Sequence, residues 1–201
     1  MFTEGGIRGS WLSRQHGLTL IELVLFILIV SVSIAGIFLV LYKSIRTGSD
    51  PVVRKQAIAI AESLLEEVEL MPFTYCDTND ANVLTATGAF VGAGGCAATV
   101  QGIGPQAGET RYSSTTPFDN VGDYSGFDTN TASPSGICDI TGTCNSALGN
   151  YRAQVTVAQD PNLGSIAQTE ALRITVTVTG PGNTSVTLDG YRTRYAPNTT
   201  Q

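Results

Sequence analysis

The residues of this chain best placed to do chemistry form one short junction, His16-Gly17-Leu18-Thr19-Leu20-Ile21-Glu22. Glu22 puts a carboxylate at the start of a long apolar run. A charge there costs about 2.5–3.5 kcal/mol at a bilayer centre and less near the interface. Such a group calls for a partner. Scission after Gly17 supplies one, because Leu18 then carries a free α-amine four residues before Glu22 on the same helix. Gly17 suits the cut, since a residue without Cβ lets a protease approach the backbone.

Two further sets of residues have chemical potential. Cys76, Cys96, Cys138 and Cys144 are even in number and all lie in one polar segment. In an oxidising compartment they read as two disulfides, with three connectivities open. Proximity in sequence favours Cys76–Cys96 and Cys138–Cys144, worth about 3 and 2 kcal/mol on a chain-entropy basis. Zinc is the competing use, but the spacings are not those of a zinc knuckle and no His is near. The second set is Asp119, Asn120, Asp123 and Asp128, hard oxygen donors that are calcium candidates. EF-hand spacing is absent, and these residue types are also ordinary turn formers. The expectation is no metal and no cofactor.

Composition narrows the function classes. Only 14% of the 201 residues are charged, against about 25% in a typical globular protein. The net charge of −6 repels phosphate backbones, so no nucleic-acid partner is expected. His16 is the only histidine, which removes most His-based nucleophilic, acid–base and zinc chemistry. The chain does not read as an enzyme.

The elements that must position these residues follow from periodicity. Leu23 to Leu41 is a nineteen-residue run without a charge. As a helix it is about 28 Å long, close to the hydrocarbon thickness of ~30 Å. A cleaved secretory signal fits poorly: the run exceeds a roughly 7–15-residue apolar core, and no small-residue cleavage site follows it. A plain signal anchor is the simpler alternative. Its orientation is undetermined by charge, because Arg8 and Arg14 precede the run while Lys43, Arg46, Arg54 and Lys55 follow it.

Beyond Gly48, the expected joint, Ser49-Asp50-Pro51 is an N-cap candidate followed by a first-turn proline. Val53, Ala57, Ile60, Ala61, Leu64, Val68 and Met71 then recur at three- and four-residue spacing, an amphipathic helix. Glu62, Glu66, Glu67 and Glu69 are expected on its solvated face. Alternation over 151–157, 172–178 and 185–195 predicts an antiparallel meander, with a turn at Gly180-Pro181-Gly182-Asn183. Asp189-Gly190 reads as a bulge that turns Tyr191, and with it Tyr195, inward. The sheet needs a cover, and the amphipathic helix is the one available. Between them lies an insert of almost eighty residues, a length that is usually functional or mobile. Its aromatics at 118–127 are expected to pin it to the sheet.

Gly17, Leu18, Thr19, Leu20, Ile21 and Glu22, followed by the apolar run, resemble the class III signal of type IV pilins and type II secretion pseudopilins, with Leu18 where Phe is commonest. The resemblance implies cleavage between Gly17 and Leu18 by a prepilin peptidase, N-methylation of Leu18, and polymerisation through the N-terminal helices. In that scheme Glu22 attracts the α-amine of a neighbouring subunit. The implied fold is α+β: a long N-terminal helix packed on a three- or four-stranded antiparallel sheet, with a disulfide-bearing loop insert. The expected segments are a 1–17 leader, an 18–42 transmembrane and filament-core helix, a 43–71 amphipathic helix, a 72–150 insert and a 151–201 sheet. Partners would be other pilin subunits, the peptidase and the inner-membrane assembly machinery. The site would be a single-pass inner-membrane protein with its head in the periplasm, then the pilus at the cell surface. The later basic residues then serve as inter-subunit or helix–head pairs, or as ordinary solvated charges. Some pseudopilins bind calcium, which bears on the Asp119–Asp128 set.

Residues 54–77 and 117–128 look most like the D-type minor pilins of the mannose-sensitive haemagglutinin (MSHA) pilus, which implies a low-copy subunit of a pilus used in surface attachment. Two alternatives stand beside this: an I-type pseudopilin of a type II secretion machine, and a signal-anchored periplasmic binding protein whose helix is never cut.

Overall fold

The computed structural model describes residues 19–200, the side chains of 44–50 excepted. The chain divides into two units between Thr47 and Gly48. Helix α1 (Leu20–Leu70) contributes to both. Its portion Leu20–Lys43 has a mean hydropathy of 3.1, has no buried residue, and is long and apolar enough to cross a membrane. The Ser31 and Ser33 hydroxyls donate to the carbonyls of Ile27 and Ile29, at 2.6 and 2.8 Å. Both polar groups are thereby satisfied from within the helix, the condition for carrying them in hydrocarbon.

The expected helix start at Ser49-Asp50-Pro51 is not a boundary, because α1 contains Pro51 in its interior. Proline there removes the N–H that would reach the carbonyl four residues back. One lost bond does not end a helix whose following turns are held by packing. From Val53 onward that packing is plain: Ala57, Ile60, Ala61, Leu64 and Val68 are buried, and Val53 and Met71 pack against the same core. These are the positions marked by the three- and four-residue spacing.

The sheet has three antiparallel strands in the order β1 (Arg152–Gln159), β2 (Ala171–Gly180) and β3 (Thr184–Thr193). Ala153, Val155, Val157, Leu172, Ile174, Val176, Val178 and Val186 form its buried face. Together with α1 they make the main core. Connecting β2 to β3 requires left-handed backbone, taken by Gly182 (φ 66°) and Asn183 (φ 59°), the two residue types that tolerate it best. Tyr151 at the head of β1 donates its hydroxyl to Gln56 on α1 at 2.6 Å.

The expected bulge at Asp189-Gly190 is absent. The β2–β3 register runs without a slip from Ala171↔Thr193 to Gly180↔Thr184, with Ile174 opposite Gly190. Alternation therefore continues, so Gly190 faces inward while Tyr191 and Tyr195 are exposed. The glycine serves close approach instead of a break in the ladder. A Cβ at 190 would collide with the Glu69 carboxylate and lie 2.9 Å from Leu65 Cδ1, both on α1.

The insert is packed, not loose. Gly126 and Thr129 N–H groups donate to the carbonyls of Val155 and Ala153, at 3.0 Å each, and Val155 donates back to Phe127 at 2.9 Å. The segment thus lines the outer edge of β1, and Tyr124 and Phe127 are buried in the main core. Cys76 is bonded to Cys96 and Cys138 to Cys144. The first bridge, with Val83 and Ala86, forms a second small core. Asn198 near the C-terminus ties to it by donating to the carbonyls of Val83 and Ala86 at 3.0 and 2.9 Å.

Gly190→Ala is expected to destabilise the head only mildly, by about 1 kcal/mol, because the crowding atoms are the ends of the Glu69 and Leu65 side chains, which can swing aside. Loss of several times that in denaturant unfolding would show that they cannot.

Candidate functional site

At the N-terminal junction, Gly17 and Leu18 lie outside the described residues. Thr19 precedes the first turn of α1, and its hydroxyl oxygen accepts the Glu22 N–H at 3.3 Å. The Thr19 carbonyl takes the first helical bond, from Leu23 N–H at 3.1 Å. Thr-x-x-Glu is thus the start signal of the helix as well as part of the processing-type motif. Sequence reasoning could have found this from spacing alone. Glu22 sits in the first turn, where the N-terminal end of the helix dipole favours a negative charge. Leu20 and Ile21 are exposed, and so is Glu22.

In the head, Glu67 departs from its expected place on the solvated face. Its carboxylate accepts two bonds from Arg111, Nε at 2.7 Å and Nη2 at 2.6 Å, and a third from the Tyr124 hydroxyl at 2.8 Å. Arg111 also donates to the Cys138 carbonyl at 3.1 Å. The guanidinium lies over the rings of Tyr112 and Phe127, 5.0 and 5.5 Å from their centroids. Burial, reinforced by the Glu67 carboxylate, holds the Tyr124 phenol above its usual range. The partners are separated by 44 and 57 residues, so no local pattern announces them.

The four calcium candidates do not converge. Asp128 is engaged by Arg152, through Nε at 3.0 Å and through Nη2, and by Gln154 at 3.3 Å. The Arg152 pair holds its carboxyl below the usual range. Asn120 is buried with both ends engaged: Nδ2 donates to Thr74 Oγ1 at 2.8 Å, and Oδ1 accepts the Gly122 N–H at 3.3 Å. It caps a single 3-10 turn, Val121–Tyr124. Asp119 and Asp123 do come together, joined by Glu109, which no local pattern marks. One oxygen from each of Glu109, Asp119 and Asp123 lies within 4.8 Å of the other two.

The loop fixes each carboxylate. Glu109 Oε2 accepts the Gln106 N–H at 2.7 Å, and Asp119 Oδ2 accepts Asn79 Nδ2 at 3.2 Å. Asp123 accepts the N–H groups of Asp119 and Asn120 at 3.1 and 2.8 Å, and Gln101 Nε2 at 2.7 Å. Burial, opposed by the Gln106 N–H and aided by the charges of Asp123, Asp119 and Asp77, pushes Glu109 up to about 7. Burial foremost, then Asp119, pushes Asp123 up to about 6, and Asp119 itself is raised. Glu109 and Asp123 also line a cleft of about 300 Å³ with Tyr112, Phe118 and Phe127. Asp80 is the contrasting case. Its oxygens accept the N–H groups of Ala97, Ala98 and Thr99, all at 2.8 Å, and these bonds, Thr99 foremost, hold it well below the carboxylate range.

Compared with family models, curated proteins and solved structures, the chain finds no match.

These opposed shifts set a pH dependence. Glu109 and Asp123 keep their protons in the fold to about 7 and 6, so the stability linked to them is full only below the ordinary carboxylate range and is lost progressively as pH rises from there to those values. Asp80 works the other way, its contribution being lost as pH falls below the ordinary carboxylate range. In chelator, the head is expected to melt higher at about pH 5 than at about pH 7.5, and Glu109→Gln should flatten that slope. Thermal melts rising monotonically from acid to neutral would contradict it.

Proposed function

We propose that the chain is a minor pilin of a type IV pilus, in its finer form an MSHA-type subunit, and a structural component, not a catalyst. The observation that carries this reading is Glu22 in the first turn of an apolar helix, closing the sequence Gly17-Leu18-Thr19-Leu20-Ile21-Glu22. The exposed, membrane-length portion of α1, the helix-backed three-stranded sheet and the two disulfides are in keeping with it. After cleavage and methylation of Leu18, Glu22 would draw the α-amine of a neighbouring subunit as helices are added to the fibre. Inside an apolar bundle such a pair replaces an uncompensated charge with a charge-assisted hydrogen bond.

Mass spectrometry of the mature protein is expected to find methylated Leu18 at the N-terminus. An intact Met1 species alone would overturn the proposal. Gly17→Asp should abolish the size reduction, because the peptidase must close on the backbone at that residue. Glu22→Val should be cut normally yet be depleted from sheared filaments. A lost charge-assisted pair of about 1.5–3 kcal/mol corresponds to a roughly 10- to 150-fold reduction. Wild-type recovery of this variant would refute the pairing role. A secretion pseudopilin would instead be missing from sheared surface filaments, and its deletion would block protein export.

A further inference from the structure

We propose that the aromatic-walled cleft of the insert binds one small organic cation, an ammonium group carried on an aromatic or short alkyl body. The cleft holds about 300 Å³, at the lower end of the range for small-molecule sites. Pro105, Tyr112, Phe118, Phe127 and Ala132 supply its apolar lining, and Glu109 and Asp123 stand among them. The rings meet edge to face, Phe127 lying 6.3 Å from Tyr112 and 6.2 Å from Phe118 between centroids. Such packing sets the wall before any guest arrives, so little ordering is left for binding to do. Tyr112 and Phe118 are only partly buried, which leaves ring surface for a guest to cover.

The charge of the guest follows from how the ions around the cleft are used. Arg111, in the lining, is committed to Glu67, and Asp128 to Arg152. Among the described residues no ion pair reaches Glu109 or Asp123. Their donors are all neutral: the Gln106 N–H for Glu109, and the Asp119 and Asn120 N–H groups with the Gln101 amide for Asp123. The cleft therefore carries acidic groups with no counter-charge of its own, and burial foremost holds both above the ordinary carboxylate range. A bare metal ion would answer the carboxylates and leave the rings wet. A neutral apolar molecule would cover the rings and leave the carboxylates unmatched, and an anion would be repelled. An ammonium on a hydrocarbon body does both, through charge-assisted hydrogen bonds to the carboxylates and contact with the aromatic wall.

The test is fluorine NMR of para-fluorophenethylammonium titrated against the full chain in uncharged detergent micelles with EDTA, beside its neutral analogue para-fluorophenethyl alcohol. Partition into the micelles is common to every variant and drops out of the comparison. One saturable site per chain is expected at about pH 8, with the ammonium held about tenfold or more tighter than the alcohol. Glu109→Gln should lower ammonium affinity by about tenfold and leave that of the alcohol nearly unchanged, a split that loss of the fold would not produce. Thr131→Trp, at an exposed position of the lining, should block both compounds. Glu62→Gln, on the exposed side of α1, should change neither. Ammonium affinity should also fall between about pH 8 and about pH 5 as Glu109 and Asp123 take up protons, with the nearby carboxyls of Asp77 and Asp119 acting in the same direction. Absence of saturable binding would overturn the proposal. So would equal affinity for ammonium and alcohol in the wild type, or equal ammonium affinity in wild type and Glu109→Gln. Neither result bears on cleavage after Gly17.

Discussion

The head is organised around the Glu67 carboxylate. Three donors meet it, two from Arg111 and one from Tyr124. Through Arg111 the same group reaches the carbonyl of Cys138 and hence the second disulfide loop. Helix, insert and bridged loop are thus referred to one charged atom pair. Such an arrangement is not cheap. Arg111 is almost wholly buried, and desolvating two charges offsets most of what their attraction returns. What it supplies is direction: a bidentate fork and a phenol admit one seating of the insert on α1, where an apolar contact would admit several. Breaking it by removing one partner would leave the other buried and unmatched, a much larger penalty than the pair's net worth.

The insert obeys the same constraint on a smaller scale. With little regular secondary structure between residues 72 and 150, its backbone groups cannot satisfy one another in a ladder, so short polar side chains do that work. Asp80 gathers three successive N–H groups, Asn120 and Asp123 close a reciprocal cap, and Asp139 does the like for the Cys138–Cys144 loop. The abundance of Asp, Asn, Thr and Gly in this stretch is the compositional trace of a loop that folds by side chain-to-backbone bonding.

That distinction also explains what could be read in advance. Periodic elements were legible: the inward face of α1, the three strands and their turn all follow from spacing that one buried face imposes. Disulfide pairing followed from proximity. The failures were non-local. Glu67 looks solvated in a helical projection because its partners are far away in sequence. Gly190 looks like a bulge because a strand pattern records that a side chain is missing and not what occupies its place. Glu109 belongs to no recognisable pattern and meets Asp119 and Asp123 only after the insert has closed. Asp128, grouped with them by adjacency, is drawn off by Arg152 on β1.

The two serines within the apolar stretch of α1 have a final implication. Their hydroxyl protons are spent on their own backbone, so from Leu23 to Leu41 the helix extends no polar hand to whatever lies beside it. Lipid tails or neighbouring helices would meet apolar side chains broken only by Ser31, Ser33, Ala35 and Gly36, small residues past which another backbone can come close. Any definite register such a rod adopts must therefore be dictated there and at its extremities, where the charges are.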